Sequence, residues 1–231
     1  TSIRENLKTI INKAEGRVFF TTFSSNIDRI RQVAEIAREC KRKVIIEGAS
    51  VDRNLNIAAK LDYLELPEGL VIAHRSAKRL DDKDVLYIIT GSQGEPNSTL
   101  FRVASRERKD LQVREGDLFV ISARVIPGNE KSLNNLINNI YENGGKVVDI
   151  GKAKIHVSGH ASRDELKLMM EMTKPVYLVP VHGEEVHLAA HKETAEENGM
   201  HSGNILILRN GSQAVFDHGS LINIKQLDKG E

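Results

Sequence analysis

Short apolar runs alternate with stretches whose apolar residues recur every three or four positions through the first 150 residues. Runs of this kind predict buried strands, and the wider spacing predicts helices with one inward face. The predicted strands lie at 17–23, 44–46, 84–90, 118–121 and 146–149. Strands that alternate with helices across short loops indicate an α/β fold with a mostly parallel sheet flanked by helices.

The pattern changes after about residue 150. Ser162 and Glu165 form a capping-box pair that predicts the start of a helix. An apolar run at 175–181 predicts a strand that ends at His182, and a helix is predicted from about residue 185 to 198. Asn210-Gly211 is a turn pair and predicts a hairpin between apolar runs on either side.

The composition is that of an ordinary globular protein, with 40% hydrophobic and 28% charged residues. A net charge of +1 argues against binding of polyanions through bulk positive charge, but it leaves local phosphate recognition open. Aromatic residues are 4% of the chain and Trp is absent, so a broad base-stacking platform is excluded. Without a secretory signal or a membrane-length apolar run, and with Cys40 alone, we expect a cytoplasmic protein with no membrane contact.

Ligands of parallel sheets bind at the carboxyl ends of the strands, and small polar residues follow the predicted strands here. The turn that contains Gly91, Ser92 and Gly94 could let the backbone approach an anion, and Pro96 suits the first turn of a following helix. An equally supported interpretation is a tight strand-to-helix turn in which glycine is needed for positive φ. Arg124 lies after the fourth strand, at the same predicted edge.

Histidines supply the remaining candidate chemistry. His156, Ser158 and His160 alternate, so in an extended segment their side chains share one face, where they could bind a phosphate, transfer a proton or ligate a metal. His182 follows a predicted strand, which suits a metal ligand, although a polar residue at a helix start is the slightly favoured alternative on this evidence alone. His187 and His191 are interpreted as surface residues.

Five blocks of sequence together resemble ribonuclease J, of the β-CASP group of metallo-β-lactamase-type nucleases. These blocks are 22–30, 90–96, 126–129, 156–160 and 180–184, and they occur in that order. The resemblance implies that residues 1–150 form a β-CASP domain and that residues 151–231 form the C-terminal segment of a metallo-β-lactamase domain. It also implies that the full-length enzyme hydrolyses RNA phosphodiesters with two zinc ions.

The resemblance implies a role for each candidate residue. His182 would ligate a zinc ion, and His160 would lie beside the scissile phosphate and assist the leaving group. His156 and Ser158 would contact phosphate. The residues that would line the path of single-stranded RNA, where a 5′-monophosphate end is held, are Ser24, Ser25, Asn26, Gly91, Ser92 and Gly94. Arg124 is a further candidate for phosphate or RNA binding because of its position at the carboxyl end of the sheet.

The sequence departs from the family pattern because the main zinc-binding loop, His-x-His-x-Asp-His, does not occur in it. A catalytic zinc needs about three protein ligands, so we expect this chain to be an internal piece that lacks zinc-dependent activity by itself. Three alternatives stay open: a non-catalytic phosphate- or RNA-binding module, an α/β protein for small molecules, and an oligomerisation module. The family resemblance also implies a homo-oligomer for the full-length enzyme.

Overall fold

The computed structural model describes residues 2–157 and 159–227. They form two compact units that divide between residues 157 and 158. Ser158, a predicted phosphate contact, lies outside the described residues. Within the described residues, no helix combines the length and the apolar character that a membrane crossing requires.

The first unit is built on a five-stranded sheet with the order β2-β3-β1-β4-β5, in which every pairing is parallel. The strands are β1 Val18–Thr21, β2 Lys43–Glu47, β3 Val85–Ile89, β4 Leu118–Ile121 and β5 Lys146–Val148. The predicted α/β fold with a parallel sheet is therefore confirmed. All five predicted strands are present, each within a few residues of its expected bounds.

Helices cover both faces of this sheet. The helices are α1 Ile3–Lys13, α2 Ile27–Glu39, α3 Ala49–Lys60, α4 His74–Ala77, α5 Thr99–Ala104 and α6 Glu130–Glu142, with a short 3₁₀ turn at Asp82–Asp84. The apolar residues of α1, α2 and α3 pack on one face, and those of α5 and α6 pack on the other. Burial on both faces explains why the strands are continuous apolar runs.

Successive residues of each strand enter opposite cores, as the period of two requires. Phe20 and Leu86 belong to the core beneath α2, whereas Phe19 and Tyr87 belong to the core beneath α6. In the second core the ring of Phe19 stacks on Tyr87 at 4.8 Å and on Phe119 at 4.5 Å between centroids. Three neighbouring strands are therefore joined by one aromatic stack.

A buried ion pair joins the amino ends of β1 and β4. The guanidinium of Arg17 donates to both carboxylate oxygens of Asp117, at 2.9 and 2.5 Å, and it also donates to the carbonyl of Gln112. Asp117 accepts a further bond from the backbone N–H of Arg114. Both side chains of the pair are at least 95% buried, so each charge depends on the other.

The second unit contains two helices and a hairpin. These elements are α7 Arg163–Thr173, α8 Glu185–Glu197, β6 Ser212–Asp217 and β7 Ser220–Gln226, with a 3₁₀ turn at Ser202–Asn204. The predicted capping box of Ser162 and Glu165 is confirmed at the start of α7. The buried apolar cluster among the described residues of this unit is small and contains Met170, Ala195 and Ile205.

Two predicted elements of the second unit are wrong. The run at 175–181 forms no strand; it makes one isolated bridge, between Leu178 and Ile205, and Val181 is 74% exposed. A strand needs a neighbour along its length, and the described part of the chain provides only this bridge. The hairpin turns at His218-Gly219 instead of Asn210-Gly211, and both of these residues have the positive φ that a tight hairpin turn requires.

We expect that replacing Asp117 by Ala lowers the free energy of unfolding by about 3–5 kcal/mol, because Arg17 would keep a buried charge without a partner. Chemical denaturation of the wild type and variant measures this loss. Asp82→Ala is the control, because it removes a solvent-exposed pair with Arg114 and should cost less than about 1 kcal/mol. Equal losses for the two variants would contradict a structural role for the buried pair.

Candidate nucleic-acid interface

The loops that follow the central strands leave the sheet in opposite directions. The loop after β1 leads to α2 on one face, and the loops after its neighbours β3 and β4 lead to α5 and α6 on the other. A crevice opens where loops diverge in this way, and it is the usual ligand site of such sheets. We call the residues at this place, 22–26, 90–98, 122–129 and 155–157, the carboxyl edge.

Ser122 fixes three segments of the carboxyl edge to one another. It is fully buried, its N–H donates to the carbonyl of Thr21 at 2.8 Å, and its carbonyl accepts from the hydroxyl of Thr22 at 2.9 Å. Its own hydroxyl donates to the carbonyl of Ile155 at 2.6 Å. These bonds hold the segment that carries His156 against the ends of β1 and β4.

Gln93 joins the loop after β3 to the loop after β4. Its side chain is 4% exposed, its Nε2 donates to the carbonyl of Arg124 at 2.9 Å, and its Oε1 accepts from the N–H of Ile126 at 2.8 Å. Both functions of the amide are therefore used within the protein. The backbone on either side of Val125 is held, while the side chain of Arg124 stays exposed.

The glycine turn after β3 is closely packed. Gly91 and Gly94 have φ of +119° and +72°, and a Cβ on Gly94 would lie 2.9 Å from the backbone of α6. Ser92 is 2% exposed, and the following helix begins at Thr99, so the prediction that Pro96 occupies its first turn is wrong. Packing alone accounts for both glycines, and binding of phosphate by Gly91, Ser92 and Gly94 stays a prediction.

The segment after β1 is held by the two helices beside it. The Oδ1 of Asn26 accepts from the N–H of Arg29 and caps α2. The Nδ2 of Asn54 donates to the carbonyl of Ser24 at 2.9 Å. Ser25 is exposed and is the residue of this segment that is most accessible to a ligand.

Two arginines act electrostatically on His156 near the carboxyl edge. Burial, the charge of Arg29 and the charge of Arg124 all lower the pKa of His156. The Nδ1 atom of His156 is buried and forms no hydrogen bond within the described residues. The arrangement favours an anionic ligand, because an anion would offset the two positive charges and could accept a hydrogen bond.

Arg29 was not predicted as a functional residue. Its backbone position in α2 falls on the inward stripe, four residues before Val33 and seven before Ile36, and it is 7% exposed. A charged residue at an apolar position of a helical stripe was the available signal. A single arginine in a helical segment is more often solvated, so this signal becomes clear only when the inward face of the helix is known.

The second unit brings together the two histidines that were predicted to carry the chemistry. The imidazole rings of His160 and His182 stack at 5.6 Å between centroids, with an angle of 16° between their planes. Both residues are exposed. A candidate proton donor and a candidate metal ligand therefore lie side by side within one unit.

The backbone at His182 is unusual. Its φ is +62°, a left-handed conformation that is uncommon outside glycine but enriched several-fold in histidine. Gly183 follows, and a Cβ there would lie 2.8 Å from the Cβ of His187, whose Nδ1 accepts from the N–H of Glu184. His182 also lines an open depression of about 800 Å³, which is bordered by Leu188 and Arg209.

The histidines do not complete a zinc site by themselves. Across residues 2–157 and 159–227, no group of three or more His, Cys, Asp or Glu side chains is placed to hold a metal ion. A catalytic zinc takes about three protein ligands. The described residues therefore offer His182 as a ligand of the right type but do not fit a whole zinc centre.

Comparison with protein families identifies the chain. A family model described as "Ribonuclease J, beta-CASP domain" matches residues 15–140, which is more than half of the chain. The chain belongs to the ribonuclease J family. A second model, "Zn-dependent metallo-hydrolase RNA specificity domain", matches residues 147–207.

Curated ribonuclease J proteins match along almost the entire chain. The protein from Helicobacter pylori strain J99 is 39% identical over 231 residues, which are 100% of this chain and 33% of that protein. Ribonuclease J of Sinorhizobium meliloti is 40% identical over 95% of this chain and 40% of its own length. Ribonuclease J2 of Bacillus subtilis is 35% identical over 93% of this chain and 39% of its own length. The chain therefore spans between a third and two fifths of these relatives.

We expect Gly94→Ala to destabilise the first unit more than Gly69→Ala. Both glycines have similar positive φ, +72° and +67°, so both substitutions carry a backbone cost of about 1–2 kcal/mol. Only at Gly94 does the new Cβ meet backbone, which adds about 1–3 kcal/mol. Denaturant unfolding of the two variants measures the difference, and equal stabilities would contradict the close packing of the turn against α6.

We expect the free energy of unfolding to decrease as the pH falls below about 6.5, in part through His156. In the unfolded chain His156 takes up a proton at that pH, whereas in the folded state burial and neighbouring positive charge lower its pKa. His156→Gln should therefore flatten the pH dependence of stability between about pH 7.5 and about pH 5.5. Urea denaturation across this range measures it, and identical slopes for wild type and variant would refute the expectation.

Proposed function

We propose that this chain is the RNA-binding and phosphate-positioning part of a zinc-dependent ribonuclease that hydrolyses RNA phosphodiesters in RNA processing and decay. The observation that carries the proposal is the placement of three basic residues around the carboxyl edge: the backbone of Arg124 is held by Gln93, the segment of His156 is held by Ser122, and Arg29 lies in the first turn of α2. Membership of the ribonuclease J family and the match to an RNA specificity domain support it. The activity belongs to the whole protein.

The two family matches support a division of labour along the chain. Residues 1–150 would be the β-CASP domain, and residues 151–231 the C-terminal segment of the metallo-β-lactamase domain. The first would hold single-stranded RNA along the carboxyl edge, with a 5′-monophosphate end as a candidate ligand. The second would contribute histidines to the reaction.

At the carboxyl edge, we assign backbone-phosphate contacts to Arg124 and His156. A phosphate contact by Ser158 stays a prediction, because this residue lies outside the described residues. Phosphate contacts of this kind fix the position of RNA without reading its sequence. Ser24, Ser25 and Asn26 would border the path after β1, and Gly91, Ser92 and Gly94 would border it after β3. The near-neutral charge of the chain is compatible with this role, because a few oriented donors replace bulk charge.

Hydrolysis breaks the bond between phosphorus and the leaving oxygen of RNA, and that oxygen then needs a proton. We assign this proton transfer to the imidazole of His160, which lies beside His182. His182 would be a ligand to one of two zinc ions in the whole protein, where zinc supplies Lewis acidity. The other ligands would come from parts of the whole protein outside this chain, so the chain alone is proposed to be inactive.

Two further properties are proposed for the whole protein on the strength of the family alone. They are a cytoplasmic location and assembly into a homo-oligomer. Size-exclusion chromatography with light scattering would measure the second. We assign no part of the described surface to contacts between copies.

We expect His182→Ala in the whole protein to remove about one equivalent of zinc and to abolish RNA cleavage. His160→Ala should retain zinc but lower kcat by about 10²- to 10⁴-fold, because it removes only proton transfer. Metal analysis and cleavage of a labelled RNA measure both effects. His191→Ala is the matched control, since His191 is a histidine of the same unit on α8 that was interpreted as a surface residue, and it should behave as wild type.

Two outcomes would contradict the proposal. Full zinc content and full cleavage in His182→Ala would remove this residue from the metal centre. Zinc-stimulated RNA cleavage by the 231-residue chain would show that the chain completes the centre by itself. Binding of RNA by the chain, without cleavage under any condition by the whole protein, would favour the alternative of a non-catalytic RNA-binding module.

A further inference from the structure

Arg29 is a buried cation whose hydrogen-bonding groups are largely unused. The residue is 7% exposed, and its Nη1 donates to the Oε1 of Gln32 at 3.1 Å. Its Nε is buried and has no hydrogen-bond partner among the described residues. No carboxylate of residues 2–157 or 159–227 lies within ion-pair distance of the guanidinium. A guanidinium has five N–H donors, so most of its capacity remains.

The other two buried arginines of the first unit show what the fold normally provides. Arg17 is paired with Asp117 through two hydrogen bonds. Arg42 is 3% exposed and donates to the backbone carbonyls of Gly16 at 2.9 Å, Val85 at 3.2 Å and Ala14. Each of these cations has several acceptors around it. Arg29 has one neutral acceptor, so it differs from both.

A buried charge without compensation is costly, and arginine cannot escape the cost by losing its proton. Burial lowers the pKa of Arg29, yet a guanidinium remains protonated in proteins at neutral pH. The unpaired charge therefore opposes folding. A buried arginine without a partner is tolerated when a group outside the folded chain, such as a bound anion, compensates its charge.

The surroundings of Arg29 point to the same kind of ligand. The Nδ1 of His156 is also buried without a hydrogen-bond partner in the described part of the chain. The charge of Arg29 acts on His156, and Arg29 lies in the first turn of α2, which begins after the carboxyl end of β1. Two basic side chains near this edge of the sheet thus have unused hydrogen-bonding groups, and an anion with several oxygens could serve both of them.

We propose that Arg29 binds a phosphate group of RNA at the carboxyl edge and that this phosphate is the counter-ion that the protein itself does not supply. The inference rests on the proposed function and adds a residue to it. A planar guanidinium suits a phosphate because two parallel N–H groups can donate to two of its oxygens. Both an internal phosphodiester and a terminal monophosphate offer this chemistry.

The test uses the 231-residue chain and an Arg29→Met variant, which keeps the length of the side chain but removes the charge. Binding to a short single-stranded RNA is measured at several salt concentrations, with the RNA carrying either a 5′-hydroxyl or a 5′-monophosphate. We expect the variant to bind about 10- to 100-fold more weakly. The slope of log affinity against log salt should fall by about 0.7, as expected for one lost phosphate contact on a single strand.

Thermal unfolding without RNA distinguishes a role of Arg29 in ligand binding from a role in stabilising the fold. If Arg29 serves a ligand, Arg29→Met should have the same melting temperature as the wild type or a higher one, because an uncompensated buried charge is removed. Added RNA should raise the melting temperature of the wild type more than that of the variant. Arg29→Lys keeps the charge and should retain the salt slope of the wild type while binding more weakly than it.

Arg31→Gln is the matched control. Arg31 lies on the same helix, is exposed and pairs with Asp28 at 2.8 Å, so its loss should change RNA affinity by less than about threefold.

If Arg29→Met lowers the melting temperature sharply, or binds RNA as the wild type does, the inference is wrong while the proposed function stands. If the wild-type chain binds neither RNA, both are wrong. A loss confined to the 5′-monophosphate RNA identifies the terminal group as the ligand, and a loss for both RNAs identifies an internal phosphodiester.

Discussion

The central strand β1 is hydrogen-bonded on both sides and buried on both faces, and the rest of the first unit depends on that placement. A parallel strand in this position cannot continue into a tight turn, so the chain must leave through a helix on one face or the other. Because α2 lies on one face and α5 and α6 lie on the other, the loops diverge directly above β1. The divergence of the loops at the carboxyl edge is thus a consequence of chain connectivity before any side chain is considered.

The buried arginines have different partners at the two ends of the sheet. At the amino end, Arg17 and Arg42 are buried with a carboxylate and with backbone carbonyls, respectively, and both stabilise the junction of strands. At the carboxyl edge, Arg29 is buried with little compensation, and its charge acts on His156. The buried charges at the amino end are therefore compensated by groups of the chain itself, whereas the charge at the carboxyl edge favours an anion from outside the chain.

Strands of the first unit were predictable because each apolar run was followed by a helix that could return the chain beside it. The run at 85–89 and the run at 175–181 look alike in sequence, yet only the first is a strand. The difference lies in available neighbours: β3 pairs with both β1 and β2, whereas the later run has one bridge, between Leu178 and Ile205, in the described part of the chain. Pairing is a non-local property that no single run of residues contains.

The sequence located those candidate residues whose place in the fold depends on their position along the chain. Arg124 follows the end of β4, so its placement at the carboxyl edge follows from the topology. His156 lies well beyond the end of β5, and the bond from Ser122 to Ile155 places its segment at this edge. The glycine turn was ambiguous because packing against α6 and close approach to a phosphate both require the same residue. Arg29 was not predicted as a candidate, because the signal is its lack of hydrogen-bond partners among the described residues. That lack can be seen only after the fold has placed the neighbours of Arg29.

The amide of Gln93 has a consequence for how this fold can vary in length. Because Gln93 bonds to backbone on both sides of Val125, the turn after β3 and the loop after β4 are locked in register. An inserted or deleted residue in either segment would break both bonds at once and expose two backbone groups that are now satisfied. Length changes should therefore accumulate in other connections, such as the exposed stretch near residues 105–110, while these two loops keep a fixed number of residues.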